Sequence, residues 1–165
     1  MRCFQSPFTV EDLAPFAYEW INLLGNEQYE QALDCCYRGD INPFGLNPDY
    51  RDERWTSDLL RQVIHNYGLF DCERDDWSEA AYHVLPITDL NRFAVENSWS
   101  LDLIDVTASV AWGLDPAHYA GIVHIYLPMD YKHDPSEISD VCARFAVRRI
   151  DPTTIALELD TVHVL

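Results

Sequence analysis

Apolar positions along this chain recur first at helical spacing and later at strand spacing. Thr9 with Asp12 three residues on has the form of a capping box, and Leu13, Phe16, Ala17, Trp20, Leu23 and Leu24 then share one helical face until Gly25 ends it. Pro15 lies too deep for a first-turn position, which predicts a helix that begins late or bends there. Asn26 is placed to cap a second helix reaching Tyr37, with Tyr29, Ala32, Leu33 and Cys36 inward, so the two helices form a hairpin. Residues 39–54, GDINPFGLNPDYRDER, collect turn formers without periodicity and read as a long loop. A third helix is predicted over 57–67, capped by Thr56 or Ser57, with Leu59, Leu60, Val63, Ile64 and Tyr67 inward and Gly68 as its stop.

From there the period changes to two. A short strand is predicted over 81–85 and a half-buried one over 101–112, where Ile104, Val106, Ala108, Val110 and Trp112 face opposite to Asp105, Thr107 and Ser109. Over 119–127, Gly121, Val123, Ile125 and Leu127 point inward while Ile122, His124 and Tyr126 take the other face, and Pro128 closes the strand. The last two strands match best: Val141, Ala143, Phe145 and Val147 oppose Ile155, Leu157 and Leu159 across a short turn at 151–153. In that register Arg144 falls near Asp160 and Arg148 lies diagonal to Glu158, as cross-strand ion pairs. No linker separates the helical part, 9–68, from the mostly β part, 81–165, and neither has a core face without the other. The prediction is a single α+β domain, 1–165, with N-terminal helices packed on a curved antiparallel sheet of about four to five strands.

Charge narrows the partners. Against 28 Asp and Glu stand 11 Lys and Arg, a net charge of −17, a field that repels phosphate backbones and anionic lipid. Neither nucleic acid nor membrane is expected as a partner, whereas a basic protein is. The five cysteines are odd in number and lack a C-x-x-C pair, so reduced thiols are expected. The N-terminus has no unbroken apolar run and no later segment has the length of a membrane span, which predicts a cytoplasmic protein.

The densest candidate is FDCERDDWSE, where Asp71, Glu73, Asp75, Asp76 and Glu79 surround Trp77. A calcium loop of the EF-hand type would need Gly where Asp76 stands and Glu where Tyr82 stands, so that reading fails. The stretch is a solvated connector, a partner-docking surface in which carboxylates attract a basic face and Trp77 anchors it, or a place of adventitious metal binding. The six histidines are dispersed without zinc spacing, and His83 and His163, in or beside strands, are the two that could meet in space. Neither a metal nor a cofactor is expected, and no glycine-rich nucleotide loop or nucleophile motif is present. Asp105, His124 and Tyr126 share the more polar strand face as a possible acid-base group, and Ile122, Tyr126, Ala146 and Val162 on that side suggest a contact surface for a homodimer through the sheet.

The segments PFAYEWINLLGNEQYEQALDCCY and CARFAVRRIDPTTIALELDTVHVL resemble the opening helix pair and closing strands of the nuclear transport factor two-like superfamily, a cone-shaped α+β fold. The second segment also resembles the end of an uncharacterised bacterial domain family. The superfamily hosts isomerases, dehydratases and binding modules, and its bacterial members include small acidic immunity proteins. The resemblance, joined to the charge and the lack of catalytic motifs, implies a non-enzymatic immunity-type protein that neutralises a cationic toxin domain. Its rival is a ligand-binding or acid-base enzyme domain using a cone interior lined by Trp20 and Trp112.

Overall fold

The computed structural model describes residues 1–39, 41, 54–66, 82–98, 100–103, 114–130 and 138–164. The elements in chain order are β1 (Cys3–Gln5), α1 (Val10–Gly25), α2 (Tyr29–Cys35), α3 (Ser57–His65), α4 (Arg92–Glu96), β2 (Ser100–Leu103), β3 (Tyr119–Tyr126), β4 (Val141–Asp151) and β5 (Thr154–Val164). The strands form one curled antiparallel sheet in the order β1-β5-β4-β3-β2, with α1 packed on α2, α2 on α3 and α3 on β5. The α+β expectation holds, with the hairpin of β4 and β5 at the centre of the sheet as the hydrophobic register required.

Local chemistry explains the helix boundaries. The capping box at Thr9 and Asp12 forms in both directions, and α1 runs unbroken through Pro15 rather than starting after it. The carbonyl that loses its partner to the proline ring belongs to Glu11, which is exposed with Pro15 and so reaches water. At the other end Asn26 does not open α2; it closes α1. The Gln28 N–H donates to the Leu23 carbonyl and the Glu27 N–H to Leu24, at 2.8 and 2.9 Å, which is a Schellman motif with Glu27 at its left-handed position, φ 56°. That closure delays α2 to Tyr29, and α2 ends at Cys35, short of Tyr37. Thr56 caps α3, which stops at His65 with Asn66 behind it, short of the expected end; Tyr67 and Gly68 lie outside the described residues.

One sheet face is buried under the helices and the other is partly buried. The helical side takes Val123, Ile125, Ala143, Phe145, Val147, Ile155, Leu157 and Leu159, against which Phe16 and Trp20 of α1 stack edge-on to Phe145 at 5.4 and 4.9 Å. Trp20 is fully buried, so aromatic packing fills the interior there; Trp112 lies outside the described residues. A bulge places Arg144 opposite Thr161 but Phe145 opposite Leu159, leaving Asp160 as the extra residue. It turns Val162 into the core instead of the expected outer face. On the second face Ile122 and Ala146 are also buried, so neither is part of an exposed contact surface, while Tyr126 is half-buried.

The predicted strand at 81–85 reduces, among described residues, to a bridge between Val84 and Met129, and 104–112 of the 101–112 strand lie outside them. Among the described residues no helix is long and apolar enough to cross a membrane.

Candidate functional site

A charged side chain stands in the buried run of β5. Glu158 sits between Leu157 and Leu159, is 2% exposed, and must therefore be partnered or neutral. It is partnered three ways. Its Oε1 accepts the backbone N–H of Ile41 at 3.0 Å, and its Oε2 accepts the Tyr119 hydroxyl at 3.1 Å and an Arg148 N–H at 3.4 Å. Arg148 also donates to the Tyr119 oxygen at 2.9 Å, with its guanidinium over the rings of Tyr37 and Tyr119 at 4.8 and 5.4 Å.

The sheet edge makes room for this group. β1 pairs with β5 only as far as Ala156, and beyond it the Tyr37 N–H takes the Leu157 carbonyl at 2.7 Å while the Trp55 indole N–H takes that of Asp160 at 3.4 Å. Between these two attachments lies a cavity of about 270 Å³, lined chiefly by Leu33, Cys36, Tyr37, Trp55, Glu158 and Leu159, with Arg38 and Arg54 also at its wall. Gly39 passes so close to the carboxylate that a Cβ there would stand 2.0 Å from Oε1.

Burial sets the protonation of two groups in and behind the wall. Burial, then the Glu158 charge, pushes the Tyr119 hydroxyl up to about 12, so it stays a donor at neutral pH. Burial pushes the Cys36 thiol well above its ordinary range, which leaves it a neutral, unreactive sulfur in the wall. Arg38 is already engaged by Glu30 and Asp34, at 2.5 and 2.8 Å.

The sequence-derived candidates fall elsewhere. Asp71, Glu73, Asp75, Asp76, Trp77 and Glu79 lie outside the described residues, as does Asp105. His124, half-buried on β3, meets Ser100 of β2 at 3.4 Å. His83 does not join His163. Its neighbours are His65, with ring centroids 4.9 Å apart, and the Glu27 carboxylate, 3.3 Å from its Nδ1. His163 faces Arg144, His124 and Asp160; burial first, then Arg144 and His124, lower its pKa, with Asp160 opposing. Both cross-strand ion pairs form as the register required, Arg144 with Asp160 and Arg148 with Glu158. What sequence reasoning missed was the cavity beside the second pair. Its signal was a carboxylate flanked by leucines, and the stretches that complete its wall have no period to read.

Compared with known proteins, the chain matches no family model, no curated sequence and no solved structure.

Proposed function

We propose that this is a binding protein whose ligand is a small, largely apolar molecule held between α2, the approach to α3 and β5. The observation that carries the reading is the cavity itself. A partly open cavity of about 270 Å³ is the kind of concave, mostly apolar space that ligands occupy, and it stands beside a core packed with Trp20, Phe16 and Phe145. Its wall combines apolar side chains and the rings of Tyr37 and Trp55 with a carboxylate held by three donors, which preorganises the site. The test is a ligand-observed NMR screen with small aromatic and aliphatic fragments, followed by Leu33→Phe and Leu159→Phe, which fill the space. Saturable one-site binding that both variants abolish while retaining the parent Tm supports the reading. Absence of any saturable fragment, or binding indifferent to both substitutions, ends it.

A second reading retains the capture of a cationic partner, such as a toxin domain, by an immunity-type protein. What favours it is the net charge of −17 together with the engagement of Arg2, Arg38, Arg61, Arg92, Arg144 and Arg148 by carboxylates, which leaves the remaining acidic groups to meet a basic surface. Toxins encoded beside the gene are the candidates to co-express. Replacing Asp71, Glu73, Asp75, Asp76 and Glu79 by their amides weakens capture steeply at low salt if this reading holds, and unchanged affinity sinks it.

A further inference from the structure

We propose that Glu27, His65 and His83 form a binding site for one divalent transition-metal ion of the zinc type, independent of the cavity at Glu158. One potential ligand atom from each side chain lies within 4.8 Å of both others. Two imidazoles and a carboxylate are a donor set suited to zinc and its first-row neighbours, and three protein donors leave a position open to water or to a donor from elsewhere. Bonds of about 2.0 to 2.2 Å to a shared ion require the three atoms to sit roughly 3 to 3.5 Å apart. The Glu27 and His83 atoms already do, at 3.3 Å, and modest side-chain rotation brings in the third.

Three separate parts of the chain converge here, and each is held from behind. His65 is the last residue of α3, and its Nε2 meets the Tyr29 hydroxyl of α2 at 3.1 Å. The backbone of His83 is clamped by Asp130, whose carboxylate accepts the His83 N–H at 2.6 Å and whose own N–H returns to the His83 carbonyl at 2.8 Å. The Tyr82 N–H reaches the His65 carbonyl at 3.3 Å, which keeps the two histidines' segments together. The Tyr29 hydroxyl is an outer partner of the kind that orients a ligating imidazole, and the backbone bonds fix where the two histidine side chains start.

Glu27 is the independent pointer. It occupies the left-handed position of the Schellman motif, where glycine or asparagine is the ordinary occupant and a glutamate is strained. A residue that the backbone disfavours, with its carboxylate 3.3 Å from an imidazole, is explained by what its side chain holds. A plain surface ion pair gains little and gives weak reason for the strain.

The strain also supplies a test in which loss of binding and loss of fold separate. Chelator-treated protein is titrated with Zn²⁺ by calorimetry in excess Mg²⁺, which occupies nonspecific carboxylates. Co²⁺ is then used to read the coordination from its visible bands. The expected result is one equivalent bound, a cobalt spectrum without thiolate charge transfer, and an affinity reduced by about 100-fold or more in His65→Gln, His83→Gln and Glu27→Gly. Glu27→Gly removes a ligand yet relieves the backbone, so in metal-free buffer its Tm equals or exceeds the parent's. Zinc affinity unchanged in His83→Gln and Glu27→Gly overturns the proposal, as does the lack of a saturable equivalent above the magnesium background.

Discussion

At the scale of single residues, glycines here are chosen by what stands over them. A Cβ on Gly39 would meet the Glu158 carboxylate, and one on Gly25 would stand 2.6 Å from the backbone nitrogen of Pro86. Gly39→Ala therefore displaces either the 37–41 segment or the carboxylate, and breaks the Ile41 N–H bond to Glu158. Urea denaturation is expected to show a loss of about 1 to 3 kcal/mol, the usual penalty for leaving a buried polar group short of a partner. A loss below a few tenths would mean that the loop yields freely and the carboxylate is not pinned. The sequence marked Gly25 as a helix stop, and it does lie at the end of α1. Its reason is the close approach of a backbone far along the chain, which no local pattern encodes.

At the scale of elements, what could be read from the sequence had its cause inside one element or one hairpin. The alternation of β4 and β5 set the register from Phe145 to Val147, which put Arg148 diagonal to Glu158, and Arg144 still reaches Asp160 across the bulge. The α1 cap was equally local. What stayed hidden depended on distant partners: β1 is three residues paired to β5, and α4 a single short turn. The extra Asp160 on β5, which turns Val162 inward, has no mark in the alternation before it. The meeting of His65 with His83 was hidden by the chain between them. The two ion pairs also differ in environment, and that difference is measurable. The Glu158 side chain is 3% exposed and its partner 21%, whereas the Asp160 and Arg144 side chains are 16% and 23% exposed. Arg148→Ala leaves a buried carboxylate short of its counter-charge and is expected to cost about 3 to 5 kcal/mol. Arg144→Ala leaves Asp160 nearer water and is expected to cost about 1 kcal/mol. Equal losses in chemical denaturation would show that burial does not rank the two pairs.

For the whole molecule, a net charge of −17 makes self-repulsion a general opponent of the compact state, and added salt is expected to raise the Tm by screening it. Protonation of histidines would relieve the same repulsion, so global charge alone predicts that mild acid stabilises. His163 predicts the reverse. Burial first, and the neighbouring Arg144 and His124 next, hold its pKa below the ordinary 6.5 in the folded protein, with Asp160 opposing, and its Nδ1 is buried without a partner. As the pH falls through about 6.5 the unfolded chain binds a proton at this position before the folded chain does, so the contribution is complete above that value and is lost below it. A stability series from about pH 7.5 to pH 5.5 at fixed ionic strength separates the two. The parent should weaken towards acid, and His163→Gln, which has no proton to take up there, should show a shallower decline with its salt response intact. Parallel declines for parent and variant would remove His163 as the cause and pass it to His65, whose pKa is lowered by burial first and by His83 next, whereas a parent that gains stability towards acid would show that the net charge dominates.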